Sequence, residues 1–91
     1  MALVPQIVMM TWDRTGIAKM YVTYDDVTGR ISALRVDNQS ERVFRVQIYE
    51  TQRYSTVVFS RDVPPKTDTT QNIPPGQDYY FEDWIASGGL I

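Results

Sequence analysis

The chain has 91 residues, 43% hydrophobic and 22% charged, with a formal net charge of −2. That composition suits one globular domain, which at this size buries only roughly 60–65% of its unfolded surface, and its acidic balance argues against a dedicated nucleic-acid binder. Cysteine and histidine are both absent, which excludes disulfides, thiolate metal sites, most zinc centres and nucleophile systems built on imidazole.

The N-terminal run Met1–Met10 is apolar, lacks a basic leader and is interrupted by Pro5 and Gln6. No signal peptide is expected from it, and no run approaches the ~20 apolar residues of a membrane helix. Ile7–Trp12 and Ile17–Tyr24 are predicted strands joined by the turn residues Asp13–Gly16, a hairpin signal. In the second strand Met20, Val22 and Tyr24 share one phase, and Lys19, Tyr21 and Thr23 the other. A turn over Asp25–Gly29 leads to a third strand, Ile31–Asp37, with Leu34 and Val36 as core residues.

After the polar turn Asp37–Ser40 comes the clearest strand, Val43–Thr51. Phe44, Val46 and Ile48 alternate with Arg45, Gln47 and Tyr49, one face dry and one wet. Tyr54–Ser60 follows. Asp62–Asp78, with four prolines, reads as a long irregular loop of the kind that carries function. Tyr79–Ile85 is the last predicted strand, and residues 86–91 form a flexible or partner-docking tail. The cadence predicts an all-β fold, a small antiparallel β-sandwich or barrel of about six to seven strands, with residues 1–91 as one domain.

Two fragments resemble the immunoglobulin-like β-sandwiches of bacterial and phage structural and adhesion proteins. The first is Leu34–Ser40 followed by Val43–Ile48, a strand ending in V-x-N and a polar turn before the next strand. The second is Ile73-Pro74-Pro75-Gly76 ahead of an aromatic strand. The resemblance implies an immunoglobulin-like sandwich and supplies no functional residues.

The carboxylates Asp25, Asp26, Asp37, Glu41, Asp78, Glu82 and Asp83 lack the D-x-D-x-D spacing of a calcium loop. They read as turn and strand-end residues, so no metal, cofactor or catalytic group is expected. Asn38-Gln39-Ser40 matches a glycosylation sequon and equally a turn. Arg42, Arg45 and Arg53 cluster in sequence with Arg35 on a neighbouring strand. Aromatics and arginines suit protein interfaces. The candidate interface is therefore Arg45, Tyr49, Tyr79, Tyr80, Trp84, Leu90 and Ile91. The expected function is a non-enzymatic structural or assembly protein: a subunit of a phage or virus particle, as a head decoration, neck, tail or fibre-associated protein. Its partners would be copies of itself or other particle subunits, without nucleic acid or membrane, in the virion or otherwise the cytoplasm. The alternative is a carbohydrate- or surface-binding module using Trp12, Tyr49, Tyr79 or Trp84 as a platform.

Overall fold

A computed structural model describes residues 2–51, 53–74 and 79–91, with residues 53–56 described as backbone alone. Seven strands form two antiparallel sheets: β1 (Leu3–Asp13), β2 (Gly16–Asp25), β3 (Ile31–Asn38), β4 (Phe44–Glu50), β5 (Arg53–Val63), β6 (Thr67–Asn72) and β7 (Trp84–Leu90). The first sheet has the order β1-β2-β3-β6 and the second β5-β4-β7. Their inner faces make one core. Ala18, Met20, Val22, Ile31, Leu34 and Val36 come from the first sheet, and Phe44, Val46, Ile48 and Val63 from the second. The all-β sandwich expected from sequence is what forms, and it is not a closed barrel. Among the described residues no helix is long and apolar enough to cross a membrane.

The alternation in β2, β3 and β4 survives in three dimensions because each has one dry face. β1 differs. A bulge falls between Ile7 and Met9 in its pairing with β2. Both Val8 and Met9 pack against the core, while Ile7 and Met10 are exposed. A bulge sets one extra, unpaired residue into the strand and interrupts the ladder only locally.

Three expectations are corrected. Asp62–Asp78 is not one long loop. β5 continues to Val63, the chain turns at Pro64–Lys66, and β6 pairs with β3 from Asn38↔Thr67 to Ala33↔Asn72. β6 is a polar edge strand (TDTTQN), so ladder hydrogen bonds hold it and no apolar alternation announces it. Pro75, Gly76 and Asp78 lie outside the described residues. Tyr79–Ile85 is not a continuous strand either: Tyr80 bridges to Arg30, Phe81–Asp83 is a 3-10 turn, and pairing with β4 begins at Trp84. Residues 86–90 belong to β7, and the Ile91 N–H donates to the Val43 carbonyl at 2.9 Å. The supposed flexible tail is thus tied to its own sheet. Gly88 and Gly89 suggested looseness, but Gly88 has φ +139°, and a Cβ there would strike the Arg45 carbonyl. This glycine permits a close backbone approach.

The polar turn after β3 has a larger part than the sequence suggests. Asn38 and Ser40 are fully buried. The Asn38 Nδ2 donates to the carbonyls of Arg42 (2.7 Å), Val63 (3.1 Å) and Pro64 (3.1 Å). Its Oδ1 accepts from the Ser40 N–H (3.1 Å) and Oγ (2.6 Å). One amide therefore joins the chain where it leaves the first sheet to the place where it returns. The sequon reading fails here, because an Nδ2 buried and bonded to three carbonyls offers no acceptor for a glycan.

Asn38→Ala leaves buried carbonyls without a donor and is expected to cost about 3 kcal/mol, with Ser40→Ala costing about 1; the shift of the urea midpoint measures both. Gly88→Ala is expected to lower the thermal midpoint more than Gly89→Ala, since nothing lies within 4 Å of a Cβ on Gly89.

Candidate interaction surface

The outer face of the first sheet is divided. Its β1–β2 half is apolar, because β1 carries apolar residues in both strand phases and only one phase can face the core. Cross-strand partners share a face. The register gives Trp12 opposite Ile17, Met10 opposite Lys19, Ile7 opposite Tyr21 and Pro5 opposite Thr23. Trp12 is 66% exposed, Met10 50%, and Ile7 and Ile17 45% each. A shallow depression of about 370 Å³ lies at one end, lined by Gly16, Ile17, Lys19, Asp37 and Gln39. From Leu3 to Trp12 β1 carries no charge, so this edge lacks the lysines and inward charges that usually blunt edge strands.

The β3–β6 half is charged and internally balanced. Two rows cross the sheet: Lys19–Asp37–Asp68 and Tyr21–Arg35–Thr70. Arg35 places its fork on Asp68, Nε to Oδ1 at 3.0 Å and Nη2 to Oδ2 at 2.7 Å. It also lies 3.8 Å from Asp37 and stacks its guanidinium 5.0 Å from the centroid of the Tyr21 ring. The donated hydrogen bonds from Arg35 hold the Asp68 carboxyl below its ordinary pKa, and the same bonds raise that of Arg35.

The residues singled out from sequence fall into separate places. Arg45 and Tyr49 lie on the outer face of the second sheet. Arg45 forms a two-pronged pair with Asp62 at 2.9 and 3.0 Å, and the Tyr49 hydroxyl donates to Gln47 Oε1 at 2.6 Å. Exposed Ile85 and Val57 pair with Tyr49 there. Tyr79, Trp84 and Leu90 instead pack against the core, Tyr79 and Trp84 with ring centroids 4.8 Å apart. Trp84 helps line an apolar cleft of about 230 Å³ with Val8, Val22, Ile48, Phe81 and Ala86. Tyr80 is half-buried at its bridge to Arg30, and Ile91 is 51% exposed. The seven do not form one surface. The arginine cluster also divides, since Arg35 and Arg45 lie on opposite outer faces, each held by an aspartate.

Of the carboxylates, Asp25 is a structural turn residue. Its Oδ1 accepts the N–H groups of Val27 (2.8 Å) and Thr28 (3.0 Å), which lower its pKa, Thr28 most. Asp26 accepts from the Ala2 N–H at 2.8 Å. Asp78 lies outside the described residues. Among the described residues no three His, Cys, Asp or Glu side chains gather in a metal-binding group. The sequence reading named Trp12 but missed Ile7, Met10 and Ile17. The signal for Ile7 and Met10 was present in the double-phase apolarity of β1, and that for Ile17 in its phase with Lys19 and Tyr21 on β2. No family model matches the chain, and neither a curated protein nor a solved structure matches it.

Asp68 and Asp62 have folded pKa values held down by Arg35 and Arg45. A depressed folded pKa contributes stability above the unfolded value near 3.9, and the contribution is lost as pH falls through the folded value. Stability is therefore expected to fall on acidification below about pH 4. Asp62→Asn with Asp68→Asn is expected to flatten that acid limb and leave the slope above pH 5 unchanged, as urea titrations at a series of pH values would record.

Proposed function

We propose that the protein is a non-enzymatic assembly module, a subunit that docks on protein partners through the outer face of its first sheet. A phage or virus particle subunit is the setting this reading favours, with the virion as its location. The observation that carries it is the exposed apolar half-face of Ile7, Met10, Trp12 and Ile17, on an edge strand that is uncharged from Leu3 to Trp12. Isolated exposed apolar side chains are ordinary. A cross-strand patch that includes an exposed tryptophan has the make-up of an interface.

A sugar platform is the second reading, favoured by the exposed Trp12 indole. It wants a row of outward aromatics, and Tyr79 and Trp84 are instead engaged with each other and the core. Glycan binding lost on Trp12→Ala would support this second reading over the first.

The patch residues are expected to be dispensable for folding and needed for association. Ile7→Thr, Met10→Thr and Trp12→Thr should each change unfolding free energy by at most about 1 kcal/mol, against about 3–5 for Phe44→Ala in the core. The same variants should reduce association measured by sedimentation. Threonine variants that unfold the chain would show that these residues serve the fold, and the reading would fail.

A further inference from the structure

We infer that the partner of this face is a second copy of the chain, docked face to face about a two-fold axis that lies in the interface and crosses the strands between two side-chain rows. The inference rests on the assembly reading and adds its partner and register.

The rows and their order across the sheet decide the geometry. Along the outer face they run Pro5–Thr23–Ala33–Asn72, then Ile7–Tyr21–Arg35–Thr70, then Met10–Lys19–Asp37–Asp68, then Trp12–Ile17. A two-fold axis parallel to the strands, centred on the sheet, would lay the apolar β1 of one copy over the charged β6 of the other. An axis across the strands keeps β1 over β1 and β6 over β6, so apolar meets apolar.

Three placements of that axis are then distinct. Through the Arg35 row it sets Arg35 against the partner's Arg35. Through the Asp37 row it sets Asp37 on Asp37 and Lys19 on Lys19. Between the two rows it sets Arg35 against the partner's Asp37, and Asp37 against the partner's Arg35. The same placement brings Lys19 over the partner's Tyr21, Met10 over Ile7, Asp68 over Thr70 and Trp12 over Pro5. No like charges then oppose one another near the axis, and like-charge contacts are what an interface must avoid. The face also balances its own charge, with Lys19 and Arg35 set against Asp37 and Asp68, so the two copies do not repel. Isologous contact has this self-complementarity, residue i meeting j and j meeting i.

The area suffices. The four strands have 11, 10, 8 and 6 residues. At about 3.4 Å per residue and 4.8 Å between strands the face covers about 600 Å² per copy. Two copies together bury about 1,200 Å², the lower end of the range for specific interfaces. The dimer is therefore a reversible one that forms with rising concentration.

The test is a charge exchange read by sedimentation equilibrium, with circular dichroism to verify folding. Wild type is expected to pass from monomer to dimer with concentration. Arg35→Asp alone opposes two aspartates twice in a homodimer, and Asp37→Arg alone opposes two arginines twice. Each is expected to dimerise at least tenfold more weakly, and their equimolar mixture to regain the dimer, because both crossing contacts become complementary. If either variant does not fold, the register is read by cross-linking. Cysteine is absent, so Ile7→Cys mixed with Met10→Cys should join through a short bismaleimide in higher yield than Ile7→Cys alone. Wild type that stays monomeric at all concentrations, a mixture that does not recover, or cross-linking without that preference would each overturn the inference. If it fails while the threonine variants at Ile7, Met10 and Trp12 remain folded, the assembly reading stands with a different partner. Threonine variants that unfold would remove both.

Discussion

The amide of Asn38 is the constraint on which the sandwich depends. A chain this short has a small core, its buried residues drawn from four strands, β2 to β5. Apolar burial holds the two inner faces together without fixing where one sheet sits along the other, because it is non-directional. Direction comes from hydrogen bonds. Asn38 ends β3, Arg42 precedes β4, and Val63 and Pro64 close β5. The amide bonds to all three sites, so the exit from the first sheet and the return to it are pinned at one buried corner. An aspartate of the same shape would present oxygen to three carbonyls, and a threonine would not span them. Asparagine has both donors and an acceptor in one plane. Lys66 reinforces the corner from outside, donating its Nζ to the Gln39 carbonyl at 2.6 Å with φ at +55°.

With that corner fixed, the other side of the sandwich is where the fold stays open. β5 runs directly into β6, so one flank is closed by the chain itself. On the other flank β1 and β7 are free edges that approach each other over the apolar cleft. β7 can lie against β4 only because Gly88 has no side chain to meet the Arg45 carbonyl. The Val8 bulge in β1 turns two consecutive apolar residues inward over the same flank. The bulge therefore has two effects. It fills the core beneath the edge, and it keeps Ile7 and Met10 in step on the outside, which places the apolar half-face in register with β2.

Legibility in the sequence followed solvent exposure. β2, β3 and β4 were readable because each has one wet face and one dry face, and Phe44, Val46 and Ile48 were assigned inward from phase alone. β6 was illegible because an edge strand with two wet sides has no reason to alternate, and Thr69, which points towards its neighbours, is as polar as Thr70, which does not. β7 was hidden by its glycines, whose meaning as close-approach residues exists only once β4 is beside them. Asn38 was read as a turn residue, correctly for its position but not for its burial, since the acceptors it serves are 25 and 26 residues away. The interface residues suffered from the same limit. Tyr79 and Trp84 were expected outside on an alternation that a 3-10 turn breaks. Ile7 and Met10 were passed over because an apolar run gives no phase.

β1 is divided into a core-facing and an outward apolar row. Val8 and Met9 pack against the core, whereas Trp12 and Met10 are exposed and lie across the strand from Ile17 and Lys19. A sequence selected only for an isolated domain would have reason to place lysine or glutamate on such an edge, since charge there protects against pairing with other chains. The charges on this face are Lys19 on β2, Arg35 and Asp37 on β3 and Asp68 on β6, each beside a neighbour of opposite sign. In the proposed dimer the Arg35 and Asp37 rows would set the register, because a slip of one row turns attraction into repulsion. The proposed interface would take its register from residues that the fold already holds in pairs, Arg35 with Asp68 and Asp37.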